Sequence, residues 1–214
     1  MTKTCRAHLV LICLSLSLLL VWGCASSPPS RFYTLTALSG AADQDTGRPI
    51  SAGASIGLGP IRFPDYLDRP GIVTRPGGGS AIEIADFDLW AGSFKEGVMN
   101  TLAQNLSVLL NTNKILVYPF LGVVKLDYRI LLVVERFEGA LGGEVTLVTR
   151  WVLYESLSEE PEKKEGRTQR ARIVEPVQGS DYAAMVAAQS RAVERLSREI
   201  AQAIQSLPAP AAAK

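Results

Sequence analysis

Cys5, Cys13, Cys24 and His8, which are all the cysteines and the one histidine of the chain, fall within its first 24 residues. Whatever folds beyond that point folds without a disulfide and without a metal held by histidine and cysteine. Apolar burial has to suffice, and the composition permits it. Of 214 residues 47% are hydrophobic and 20% charged, and a chain of this length buries about 70% of the surface its unfolded form exposes. The same shortage limits chemistry, because Ser-His-Asp triads and Cys-His pairs need residues missing after Cys24. Carboxylates, hydroxyls, lysines and arginines remain. Lys+Arg 22 against Asp+Glu 21 leaves no basic excess of the kind that binds nucleic acid.

The first residues read as an address. Lys3 and Arg6 precede the apolar run Leu9–Val21, which falls short of the roughly 20 residues that a bilayer-crossing helix needs. A cleaved secretory signal over residues 1–23 is therefore expected. Val21-Trp22-Gly23-Cys24 resembles a bacterial lipobox, with Trp22 where a small residue is usual, so Cys24 is the expected lipidation site. Ala25, standing where an aspartate would retain a lipoprotein in the inner membrane, directs the expectation to the periplasmic face of the outer membrane. Residues 24–30 form the tether, and Ala25 to Ser30 reach at most about 20 Å when extended. The folded body, expected over 31–207, is thereby kept near lipid headgroups.

Along that body, β-branched and aromatic runs predict strands over 32–38 and 54–59, the second ending at Pro60. Residues 39–53 read as a loop, and 71–75 with 81–85 as a hairpin closed by Pro76-Gly77-Gly78-Gly79-Ser80. Trp90, Phe94, Val98, Leu102, Leu106 and Leu110 recur every four residues, predicting a helix over 89–110, started by Asp86 or Asp88 and ended by Asn111 or Asn113. A short strand over 115–118 stops at Pro119, and strands over 126–137, 144–157 and 169–174 predict an antiparallel meander. The Glu159 to Lys164 charge run is a solvated turn. Ser180 or Asp181 caps a last amphipathic helix running to Leu207, and 208–214 is a frayed tail. The pattern predicts an α/β single domain, a mixed sheet of about five or more strands with two long helices.

Three stretches carry a resemblance: Ile56 to Arg75 with its Pro64-Asp65-Tyr66-Leu67, Leu89-Trp90-Ala91 with Asn100 to Ser107, and Gly179 to Met185. With the lipobox and Phe32-Tyr33-Thr34-Leu35, they resemble the PqiC-like lipoproteins, auxiliary components of ABC-type transport systems. Relatives tend to have Pro-Leu where this chain has Ser93-Phe94. The resemblance implies a three-layer, anticodon-binding-domain-like fold and a homo-oligomeric ring. It also implies an auxiliary, non-enzymatic role beside MCE-domain proteins, which carry lipids between the two membranes. No cofactor or metal is implied.

Pro64 and Pro70 stiffen the loop between them, so Pro64, Tyr66, Leu67 and Arg69 are candidates for partner binding. Tyr66 and Leu67 have the alternative of folding back over the sheet. Trp90 is either core or an interface anchor. Arg69 and Arg75 are either lipid-phosphate ligands, through guanidinium forks, or solvated surface. Asp65 and Asp68 could form a carboxylate pair for a cell-wall glycan hydrolase, or serve in salt bridges and turn capping. A shuttle holding an acyl chain is a further reading, and it needs a closed apolar cavity between sheet and helices.

Overall fold

Alternate residues of a strand face opposite ways, so a strand with one face on a core buries every second residue. In the stretch 144–155, Val145, Leu147, Thr149, Trp151 and Leu153 are all buried, whereas Glu144 and Arg150 are exposed. The computed structural model describes residues 27–39, 54–120, 125–155 and 166–207. The signal segment, Cys24, most of the 39–53 loop, the Glu159 to Lys164 run and the tail lie outside the described residues.

The strands are β1 Arg31–Tyr33, β2 Ile56–Arg62, β3 Gly71–Thr74, β4 Glu83–Trp90, β5 Ile115–Val117, β6 Tyr128–Gly139, β7 Glu144–Glu155 and β8 Arg167–Pro176; the helices are α1 Phe94–Leu109 and α2 Tyr182–Gln205. The eight described strands form one mixed sheet that forks along β6. On one side β6, β7 and β8 make the expected antiparallel meander. On the other, the first half of β6 pairs in parallel with β2, up to Arg62 opposite Val133, and β2 carries β5. Its last residue, Gly139, pairs with Thr74 of β3, which carries β4 and β1. Among the described residues, 134–138 therefore have no strand partner on that side, and the loop from Phe63 to Pro70, which joins β2 to β3, lies over this gap.

Both helices cover one face of the sheet and touch each other, α1 over β2 and β5, α2 over β6, β7 and β8. Sheet and helices thus make two layers, where the resemblance implied three. Phe94, Val98, Leu102 and Leu106 of α1 and Met185, Val193, Leu196, Ile200 and Ile204 of α2 form the shared core. Inside it the Asn105 amide donates to Ser197 Oγ at 3.1 Å. Asp181 accepts from the Ala184 N–H at 2.8 Å and starts α2, one of the two caps expected there. Asn111, at φ 47°, takes the left-handed position that ends α1.

Besides shifts of two residues at the ends of β6 and β8, three boundaries differ from the sequence expectation. The first strand stops at Tyr33, because the Thr36 and Leu38 N–H groups donate to Ser190 Oγ and Asn105 Oδ1 on the helices and not to a ladder. The second runs through Pro60 to Arg62: the β2–β6 register slips between Leu58 and Ile61, and Gly59, at φ 102°, provides the bulge. The first long helix begins at Phe94 and not Leu89, since Asp88, Leu89 and Trp90 pair with Arg31, Phe32 and Tyr33. Asp88 is occupied by β1, and Ser93 caps the helix by accepting from the Glu96 N–H at 3.1 Å.

Candidate functional site

The Phe63 to Pro70 loop follows a strand that its neighbour has deserted, so its backbone and side chains must close the sheet themselves. Leu67 does so from the apolar side. It is 1% exposed and lies among Val73, Trp90, Phe94 and Phe137. Phe63 meets Phe94 edge-on at 5.5 Å. Tyr66 does so from the polar side, its hydroxyl donating to Glu138 Oε2 at 2.9 Å.

Glu138 is the hub of this arrangement. It is fully buried, and four donors meet its carboxylate. Arg75 Nε and Arg136 Nε each lie 2.7 Å from Oε1, and the Phe137 N–H reaches Oε2 at 3.2 Å beside the Tyr66 hydroxyl. A buried charge so surrounded is satisfied, and it ties the loop, β3 and β6 together. Burial pushes the Tyr66 phenol above its ordinary range, and its bond to the negative Glu138 adds to that. The Glu138 hydrogen bond holds the Arg75 guanidinium protonated still more firmly than usual. Arg75 also donates to the Gly79 and Ser80 carbonyls at 3.0 and 3.1 Å.

These contacts place the remaining candidates. Leu67 is core, and so is Trp90, stacked on Phe94 with centroids 4.2 Å apart; neither side chain faces out to a partner. Tyr66 is half-buried with its hydroxyl engaged. Arg75 is turned inward to Glu138, which takes its fork away from any lipid phosphate. Arg69 is exposed and Pro64 half-buried, so the outward part of the loop is Asp65, Asp68, Arg69 and Pro70. Asp68 Oδ1 accepts from Ser93 Oγ at 2.9 Å and from the Lys95 N–H at 3.3 Å, the capping alternative and not an acid/base pairing with Asp65. Cys24 lies outside the described residues.

Sequence reasoning placed Glu138 in the β6–β7 turn and so missed the hub. The available signal was an acidic residue two places after Arg136, beyond the apolar run Ile130–Val134. It missed a second clasp as well, in which Asp88 accepts from Arg31 at 2.8 and 2.9 Å and from Tyr33 Oη at 2.7 Å, holding the edge strand β1. Two open clefts flank the first half of α1. One, of about 410 Å³, lies against Pro60, Tyr118 and Pro119; the other, of about 300 Å³, lies against Tyr33, Trp90 and Gln104. Among the described residues no three carboxylates converge as a metal site would require, and no described helix is long and apolar enough to cross a membrane.

The comparisons with known proteins agree with this architecture. A solved structure of an uncharacterized protein shares 20% identity, covers 83% of this chain and 99% of its own, and superposes with a TM-score of 0.65. Protein XCC0632 from Xanthomonas campestris shares 16% identity, covers 80% of this chain and 93% of its own, with a TM-score of 0.63. At such identities the likeness is one of fold. No curated protein matches. The family model of the ABC-type transport auxiliary lipoprotein component matches residues 33–201, from the end of β1 into the last turns of α2. The chain belongs to the family of ABC-type transport auxiliary lipoprotein components.

Proposed function

We propose that this protein is a non-enzymatic, outer-membrane-anchored auxiliary subunit of an MCE/ABC-type intermembrane lipid-transport system. Acyl chains on Cys24 hold the α/β body at the periplasmic face, and the body positions the periplasm-spanning MCE component. The observation that carries the reading is the family match over residues 33–201. The geometry supports a positioning role, since the 63–70 loop is fixed to the sheet by a saturated buried carboxylate and presents Arg69 from a stiff support. A surface held in one pose loses little entropy when a partner docks.

A photo-crosslinking residue in place of Arg69, in the lipoprotein expressed in its own cells, tests this. The expected product is an adduct with the MCE component. Adducts that never contain a transport component, in cells whose transport is intact, would refute the docking role. The acyl-chain shuttle has less support, because the space among Leu67, Val73, Trp90, Phe94, Phe137 and Gln189, between sheet and helices, is too small for a water molecule.

A further inference from the structure

Both helices pack on one face of the sheet, which leaves the opposite face of β2, β6, β7 and β8 uncovered by them. Register assigns its residues. Arg62, Val133, Arg150 and Arg170 stand side by side across the four strands, and Arg136, Val148 and Arg172 form the next row. Leu131, Val152 and Thr168 form the row on the other side, followed by Arg129 beside Tyr154. Six arginines thus share a single face, although the chain as a whole carries a net charge of only +1.

The carboxylates on this face are fewer. Glu135, at the β6 bulge, receives Arg150 at 2.7 Å and Arg170 at 3.0 Å, and the hydrogen bond from Arg170 with the charge of both arginines holds its carboxyl below the ordinary carboxylate range. Glu138 is buried and already shared by Arg136 and Arg75. Arg150 and Arg170 remain 57% and 64% exposed despite their bond. Arg62 and Arg172 are exposed and have no partner among the described residues. The Nε of Arg129 is buried without an acceptor, its guanidinium 6.0 Å from the Phe120 ring. Half-buried Leu131, Val133 and Val152 lie between the charges, so the face alternates guanidinium forks with low apolar ground.

We propose that this open face of β2, β6, β7 and β8 docks on the phosphate groups of an anionic lipid surface. The inference rests on the reading of the chain as membrane-anchored, and it adds how the body lies once anchored. A symmetric second copy is disfavoured as occupant, because it would set arginine against arginine. A phosphate layer answers the charge and the bidentate forks together. The attraction is electrostatic and weakens as salt rises.

The test uses the mature lipoprotein reconstituted through its acyl chains into vesicles. A fluorophore is placed at Thr168→Cys on this face, and a reference at Gln202→Cys on the exposed side of α2. The vesicles are phosphatidylcholine alone, or phosphatidylcholine with phosphatidylglycerol, each carrying a bromine-labelled lipid as quencher. Quenching at position 168 is expected with phosphatidylglycerol and not at position 202. The double variant Arg62→Glu/Arg172→Glu changes the two exposed arginines of this face that have no partner among the described residues. It should lower the face-down population by more than about tenfold, as roughly four units of charge lost against an anionic leaflet require. Position 168 unquenched while the protein stays on the vesicles would overturn the proposal and leave the anchor standing. So would equal quenching with and without phosphatidylglycerol. Crosslinks from position 168 to an acidic protein in cells, without lipid quenching, would overturn it in favour of a protein partner. Loss of the wild-type protein from the vesicles would remove the anchor and this inference together.

Discussion

Replacing Glu138 by glutamine keeps the shape of the hub and removes its charge. In the wild type both guanidinium donors sit 2.7 Å from one oxygen, and the Tyr66 hydroxyl and Phe137 N–H share the other. The amide can still accept on one side, and its NH2 can donate to a rotated Tyr66 hydroxyl, so most of the cost is the lost counter-charge. Breaking a buried ion pair costs about 3 to 5 kcal/mol. The Arg136 side chain is 36% exposed and that of Arg75 16%, so water takes over part of their solvation and the lower end applies. A loss of about 3 kcal/mol corresponds to a Tm fall of roughly 6 to 12 °C for a body this size. Urea unfolding followed by tryptophan fluorescence measures it, with Trp90 stacked beside the loop and Trp151 in the sheet. The midpoint should drop with the slope unchanged. Tyr66→Phe, which deletes one bond to the same carboxylate, should cost about half as much. A Glu138→Gln loss under about 0.5 kcal/mol, or one no larger than that of Tyr66→Phe, would refute the hub.

Leu67→Ala empties a fully enclosed position and should cost about 2 to 5 kcal/mol in the same unfolding experiment, whereas a surface-contact residue would cost almost nothing. Gly139→Ala drives a methyl group into the Glu144 carbonyl and to 2.7 Å from Val145 Cα, so the β6–β7 turn should shift and its amides exchange faster by hydrogen-exchange mass spectrometry. Tyr66 has a phenol held above the ordinary 10.0 by burial and by Glu138. Its folded value exceeds its unfolded one, so the stability it contributes is whole below pH 10.0 and is lost as pH rises through the folded value. Tyr33, Tyr128 and Tyr182 are raised as well, so stability above pH 10.0 should fall less steeply in Tyr66→Phe than in the wild type, without vanishing.

Elements with a long apolar period were legible in the sequence: the stripe of α1 from Phe94 onward, that of α2 from Asp181, the meander, and the Pro76 to Ser80 turn. Their burial pattern repeats often enough to outvote local irregularity. What escaped were places where a side chain far along the chain decides the outcome. Asp88 looked like a helix cap because capping is read locally, whereas Arg31, 57 residues away, had already taken it. Thr34 to Leu38 looked like strand because β-propensity cannot see Ser190 or Asn105 on the helices. Pro60 looked like a stop, and Gly59 turned it into a bulge. The candidate loop was legible as a stiff segment between two prolines. Which way Tyr66 and Leu67 turned was not, since that depends on the gap left where β2 leaves β6. The arginines of the open face became a cluster only once register set β2, β6, β7 and β8 side by side.

The central claim is that an acylated Cys24 holds a scaffold at the membrane so that transport can proceed. Fractionation and a transport-dependent growth assay on the same cells, carrying either the wild type or Cys24→Ser, test it directly. The expected result is wild-type protein with the outer membrane, the variant lost from it, and growth lost with it. A variant that leaves the outer membrane and still supports full growth would contradict the account.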